Sequence, residues 1–212
     1  MLKRHHKDNR LFWILCTSFV LLCGAFVFLG TGYWLSLRSE QKMSDLSQEA
    51  SFKSLENTYG IENYVEMMPT LSISGLVSTK AWSNIRQAGF DVVIDLRTPS
   101  EGAGHDKSLI EDLGMHYINL PVAGIQGLTR EVISDFARLY AHYHPESTPS
   151  NKTTQPRILI HCVSGNRAGG LWSAYRIHTG IPFDIALSEG RRAGMRAPLE
   201  EHIYRLCSKS AC

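Results

Sequence analysis

The sequence has no surplus of either charge: 22 Lys and Arg stand against 20 Asp and Glu in 212 residues, a formal net charge of +2. A protein that grips nucleic acid shows a basic face or stripe, so no nucleic-acid partner is expected. Cysteine is scarce, five in all, which excludes a small domain stapled by disulfides. With 43% hydrophobic residues and only 17 glycines, collagen-like and wholly disordered chains are excluded as well. Internal repeats are absent. The length fits one domain of common size plus an appendage.

Charge is missing entirely from one stretch. Leu11 to Leu37 is a run of 27 residues without a single Lys, Arg, Asp or Glu. About 20 apolar residues suffice for a helix to cross the hydrocarbon core of a bilayer. A cleaved signal peptide has an apolar region of only about 7–15 residues and small residues at the cut. Here Gly30 and Gly32 are followed by the bulky Tyr33 and Trp34. Residues 11–37 therefore read as an uncleaved signal anchor, one transmembrane helix whose partner is the lipid bilayer. Lys3, Arg4, Lys7 and Arg10 precede the run, against Arg38 and Lys42 after it, and the richer side stays cytoplasmic. Residues 1–10 become a cytoplasmic basic tail. The rest is expected on the periplasmic or another extracytoplasmic side of an inner (cytoplasmic) membrane.

Residues 38–66 are polar and read as a juxtamembrane stalk. From 67 to 212 helical and strand patterns alternate. TLSISG is a short strand, Thr79 to Ala88 a helix with Ser78 as a candidate N-cap and Gly89 as its stop. FDVVIDL is a continuous apolar run of the kind found in a strand buried on both faces. A charged loop, Arg97 to Asp106, leads to a short helix ending at Gly114 and the strand MHYINLPV. Val132, Phe136, Leu139 or Tyr140, and Tyr143 recur at helical spacing. HPESTPSNKTTQP is a polar connector, with a glycosylation pattern at Asn151 to Thr153 that matters only in a eukaryotic host. RILIHC is the last strand, followed by three helical stretches. This order predicts an α/β domain, a central, mostly parallel sheet flanked by helices.

Four of the cysteines say little. Cys16 and Cys23 lie in the apolar run, and Cys207 and Cys212 close a short terminal loop and could pair in an oxidising compartment. Cys162 stands out, because His161-Cys162-Val163-Ser164-Gly165-Asn166-Arg167 joins a strand to a helix. Such a loop turns successive backbone N–H groups inward and makes a nest for an anion. Those dipoles and the Arg167 guanidinium favour the thiolate, the nucleophilic form of Cys162. Arg167 can grip an oxyanion with two parallel hydrogen bonds, which Lys cannot reproduce. Gly165 opens a backbone conformation closed to other residues.

With these residues in view, the chain resembles the cysteine-dependent protein tyrosine and dual-specificity phosphatase superfamily. It is most similar to the bacterial branch known as the β-lactamase-hydrolase-like, phosphatase-like family. The resemblance spans about residues 64–207 and rests on SISGLVSTKAWSNIRQAGFDVVIDLRTPSE, GMHYINLPV and ILIHCVSGNRAGGLWSAYRIHTGIPFDIALSEGRRAGM. It implies a dual-specificity-phosphatase-like fold and hydrolysis of a phosphomonoester from a phosphorylated substrate. Cys162 would be the nucleophile, passing through a thiophosphate, with Arg167 as the anion clamp and Val163, Ser164, Gly165 and Asn166 as the cradle. Neither metal nor organic cofactor is implied.

Three departures bear on that reading. The phosphatases hold one more residue between Cys and Arg than the four, Val163 to Asn166, found here. Four is common in rhodanese-like sulfurtransferases, whose Cys carries a persulfide. Ala168 stands where a Ser or Thr usually helps the thiolate leave. The strand YINLPV runs into Ala123-Gly124-Ile125-Gln126 without the customary acidic residue. Glu101, His105 and Asp106, on the loop after FDVVIDL, are then the candidates for a general acid, with Glu101 and Asp106 foremost.

Arg97, at the end of FDVVIDL, is either a second cation of the anion site or the ion-pair partner of Glu101. His161 is expected to orient the loop by hydrogen bonding. Arg191, Arg192 and Arg196 read as a surface cluster at a helix end, and His142-Tyr143-His144 is too weak a pattern for a metal site. Three functions stay open: a membrane-anchored phosphatase, a rhodanese-like sulfurtransferase with a persulfide on Cys162, and a non-catalytic anion-binding module.

Overall fold

A computed structural model describes residues 60–144, 155–208 and 212. The basic tail, the span at 11–37, most of the stalk, Cys16, Cys23 and the Asn151 pattern lie outside the described residues. Among the described residues no helix is long and apolar enough to cross a membrane.

Five strands, β1 (Val65–Met68), β2 (Leu71–Ser74), β3 (Phe90–Asp95), β4 (His116–Asn119) and β5 (Arg157–His161), form one sheet in the order β1-β2-β5-β3-β4. β1 pairs with β2 antiparallel and every other pairing is parallel, so the sheet is mixed. β1 corrects the expected boundary at 67. Ile61 and Tyr64 are buried against Trp82, Ile85 and Phe90, so the folded region includes residues assigned to the stalk.

Side chains alternate across a strand, and the alternation sorts this core into two layers. Leu71, Ile73, Val92, Ile94, Ile158 and Ile160 face one side, where they meet α3 (Arg130–Tyr143), α4 (Asn166–His178), α5 (Phe183–Arg192) and α6 (Ala197–Cys207). Phe90, Val93 and Leu159 face the other, against α1 (Trp82–Gln87) and α2 (Lys107–Asp112). Thr79–Ala81, expected as the first turn of a longer helix, is a 3₁₀ turn that leads into α1.

α4 is buried almost all round, which explains its lack of a polar face. Gly169 and Gly190 let it approach α5 closely: a Cβ on Gly169 would sit 2.7 Å from the Gly190 carbonyl oxygen. Cys207 at the end of α6 is disulfide-bonded to Cys212, and Cys162 is the free cysteine among the described residues.

Register places four polar residues in one row at the C-terminal edge of the sheet. Ser74 pairs with His161, His161 with Asp95, and Asp95 with Asn119. Ligand crevices of α/β sheets open at this edge, and the Cys162 loop leaves the sheet there.

Candidate active site

Cys162 is the first residue after β5. Its backbone N–H donates to the Ser74 carbonyl at 3.3 Å, and its buried Sγ accepts the Gly165 N–H at 3.2 Å. The loop is held from outside by its carbonyls. Leu76 N–H donates to the Val163 oxygen at 3.0 Å, and Asn63 Nδ2 donates to the Ser164 oxygen at 3.1 Å. In a trans peptide the N–H points opposite to the preceding C=O. Anchoring those two carbonyls outward therefore turns the Ser164 and Gly165 N–H groups toward the sulfur side.

Gly165 sits at φ 81° as the N-cap of α4, and a Cβ there would lie 3.1 Å from the Ala193 carbonyl oxygen. Both the left-handed backbone and the lack of room require glycine. The N–H groups of Asn166 and Arg167, in the first turn of α4, have no intrahelical acceptor. Neither they nor the Ser164 N–H donate to an acceptor among the described residues. Asn166 Oδ1 accepts the Arg196 N–H at 2.8 Å and ties the turn after α5 to the loop. Ala168 is fully buried.

Arg167 is buried and its guanidinium is already oriented. Nη1 and Nη2 each donate to Glu101 at 2.8 Å, one to each carboxylate oxygen, and Nη1 also donates to the Val122 oxygen at 2.8 Å. This uses the outer edge of the fork. The Nε–H and the second Nη2–H, on the adjacent edge, have no acceptor among the described residues. That pair has the geometry for a bidentate grip on an oxyanion.

Glu101 does not have the character of a general acid. Its ion pair with Arg167 and the Thr98 backbone N–H hold its carboxyl at about 2, so it is ionised at neutral pH. A capping box with Thr98 fixes its position, each side chain bonding the other's backbone N–H. That T-x-x-E pattern, Thr98-Pro99-Ser100-Glu101, was readable in the sequence; its arginine partner was not.

Asp106 is buried, and its two oxygens accept from Thr79 Oγ1 at 2.9 Å and Trp82 Nε1 at 3.0 Å. It braces α1 and its preceding turn, which corrects its assignment as an acid.

Arg97 takes neither role foreseen for it. Its Nε donates to Asp95 at 3.0 Å and its Nη2 at 2.8 Å, and its backbone N–H adds a bond to the same carboxylate. Burial raises the Asp95 carboxyl, but the Arg97 hydrogen bonds and the neighbouring His161 and Tyr117 outweigh it and hold it below its ordinary value. Tyr117 donates to Asp95 at 2.8 Å while accepting the Gly104 N–H at 2.7 Å. Burial, reinforced by Asp95, raises its phenol.

His161 also departs from expectation. Strand alternation turns it away from Cys162, into the α1 layer, with its ring centroid 5.6 Å from that of Trp82. Neither ring nitrogen makes a hydrogen bond of ordinary geometry, and Nε2 lies 3.7 Å from Asp95. Burial pushes its pKa down to about 4, against the pull of Asp95. It is neutral at pH 7.

Arg191 pairs with Glu200 at 2.6 Å, whereas Arg192 and Arg196 are exposed at the end of α5 and the start of α6. No group of three or more His, Cys, Asp or Glu among the described residues could hold a metal ion.

Solved structures share this fold. A DUF442 protein of Shewanella putrefaciens, described as a phosphatase, aligns at a TM-score of 0.56 and 24% identity over 75% of this chain and 100% of its own. A protein of Neisseria meningitidis, also described as a phosphatase, aligns at 0.55 and 19%, over 68% and 99%. The core catalytic domain of the PP-IP phosphatase Siw14 of Saccharomyces cerevisiae, solved with citrate, aligns at 0.53 and 18%, over 69% and 87%. The fold is similar to that of these phosphatase structures. No family model matches the chain, and no curated protein matches it. The similarity therefore lies in the fold, and the β-lactamase-hydrolase-like branch is not singled out by it.

Proposed function

We propose that the protein is a membrane-anchored, cysteine-dependent phosphatase acting on a phosphomonoester. The observation that carries this reading is the open edge of Arg167, held by Glu101 beside a loop whose N–H groups turn toward Cys162. The Cys162 thiolate attacks phosphorus, forming a P–S bond as the P–O bond to the leaving group breaks. The loop amides and Arg167 stabilise the equatorial oxygens. Water then attacks phosphorus, the P–S bond breaks, and phosphate and thiolate are released. The catalytic region sits outside the cytoplasm, anchored by residues 11–37. The flanking charge asymmetry and the Cys207–Cys212 disulfide support that placement.

Two observations favour a second reading. The four-residue loop and the ionised Glu101 suit persulfide transfer, which needs no proton donor. Both readings are tested with the full chain in detergent micelles. The expected outcome is phosphate release from an aryl phosphate that Cys162→Ser abolishes. Arg167→Lys, which loses the fork, lowers kcat/KM by about 10²–10³. Sulfur transfer from thiosulfate to cyanide without phosphate release would instead establish the sulfurtransferase. Silence in both assays would leave an anion-binding module.

A further inference from the structure

Among the described residues, the three buried or ion-paired carboxylates at this edge are already engaged. Glu101 has both oxygens on Arg167, Asp95 is fully buried on Arg97, and Asp106 is buried on Thr79 and Trp82. The segment that follows β4 passes directly beside the guanidinium, since Val122 accepts from Arg167. From Pro121 to Gly127 it reads Pro-Val-Ala-Gly-Ile-Gln-Gly, without a titratable side chain. His161 faces the opposite layer, and the Tyr117 hydroxyl is engaged with Asp95. Glu62 and His105 are exposed, and among the described residues neither side chain makes a hydrogen bond or ion pair with Cys162, Arg167 or the loop between them.

We infer, on the basis of the phosphatase reading above, that the substrate carries its phosphoryl group on a leaving group that departs without a proton. An acidic phenol, a carboxylate and a second phosphate share that chemistry; an alkyl alcohol does not. When Cys162 forms the P–S bond, the electron pair of the broken P–O bond leaves on an anion already stable in water. No proton moves in that step. The second half-reaction lacks a general base for the same reason, and its water gives its proton to solvent. Hydrolysis of the thiophosphate is therefore slow compared with its formation. Proton transfer from a positioned side chain contributes about 10²–10⁴ in rate, and this is the disadvantage an alkyl phosphate meets here.

The test uses the full chain in detergent with a series of phosphates: nitro-substituted and plain phenyl phosphate, acetyl phosphate, pyrophosphate, phosphoserine and glycerol phosphate. The expected result is Cys162-dependent turnover in which kcat/KM falls steeply as the leaving group becomes more basic. The alkyl esters lie about 10²–10⁴ below the nitrophenyl ester. Nitrophenol appears in a burst of one equivalent per active site, and kcat/KM shows no fall on the alkaline side. Glu62→Gln and His105→Ala each leave the profile unchanged. Faster turnover of acetyl phosphate and pyrophosphate than of aryl esters of similar leaving-group basicity identifies an anhydride as the preferred source; the reverse identifies a phenol.

Comparable rates on alkyl and aryl esters, or an alkaline fall abolished by replacing Glu62 or His105, would overturn the leaving-group inference and leave the phosphatase standing. Absence of Cys162-dependent phosphate release from every member would overturn the phosphatase reading and this inference with it.

Discussion

Two arginines at the C-terminal edge of the sheet are almost equally hidden, and they end in opposite situations. The side chains of Arg97 and Arg167 are 9% and 10% exposed. Asp95, the partner of Arg97, is wholly buried and takes the Nε/Nη2 edge of its fork. Glu101, the partner of Arg167, is 35% exposed and takes the outer edge, leaving the Nε/Nη2 edge open. Charge and burial of the cation are matched. What separates the two pairs is which edge of the fork the carboxylate occupies. On the α1 side the pair closes on itself beneath the sheet edge; on the α4 side it leaves one edge of the guanidinium open.

The contrast breaks most strongly at Asp95. Asp95→Asn leaves Arg97 as a buried, uncompensated cation, an expected loss of about 3–5 kcal/mol. Urea unfolding of the variant checks it. A loss below about 1 kcal/mol would place Arg97 in contact with water and dissolve the distinction between the two pairs.

A smaller effect follows from acid. His161 is neutral when folded, with a pKa near 4 against an ordinary value of 6.5. Between these values the unfolded chain binds more protons, so stability is fully present above about 6.5 and is lost as pH falls toward 4. The shift corresponds to about 3 kcal/mol. Glu101 adds to the loss at lower pH, since the stability from its ionisation is present above 4.5 and disappears toward about 2. Thermal melts from pH 7 to 4, compared with His161→Phe, should show a flatter slope in the variant; equal slopes would remove His161 as the cause.

The smallest change is expected on the open side. Glu101→Gln loosens Arg167, which keeps its bond to Val122. At this part-exposed site a pair is worth at most about 1 kcal/mol, so kcat/KM falls about fivefold, through KM, with the melting temperature nearly unchanged. A drop in melting temperature with unaltered KM would make Glu101 a structural residue like Asp95.

Much of this edge was readable along the chain because its information is local. The strand-loop-helix spacing around Cys162, the apolar run of β3 and the requirement for Gly165 each depend on a few consecutive residues. β1 escaped notice because VEMM is short and half-buried, and its pairing partner supplies the order that its own pattern lacks. The setting of His161 is not local information either: it directly precedes Cys162 in the chain, but strand alternation turns its ring into the α1 layer beside Trp82.

Local pattern in the chain carries the α/β order, a cysteine and an arginine on one loop, and the uncharged run at 11–37. The partners come from the folded structure. Arg167 meets a glutamate 66 positions earlier in the chain, and Arg97 turns to Asp95 rather than to Glu101. Ion pairing depends on where folding brings charges within reach and out of water, and no local pattern encodes that distance.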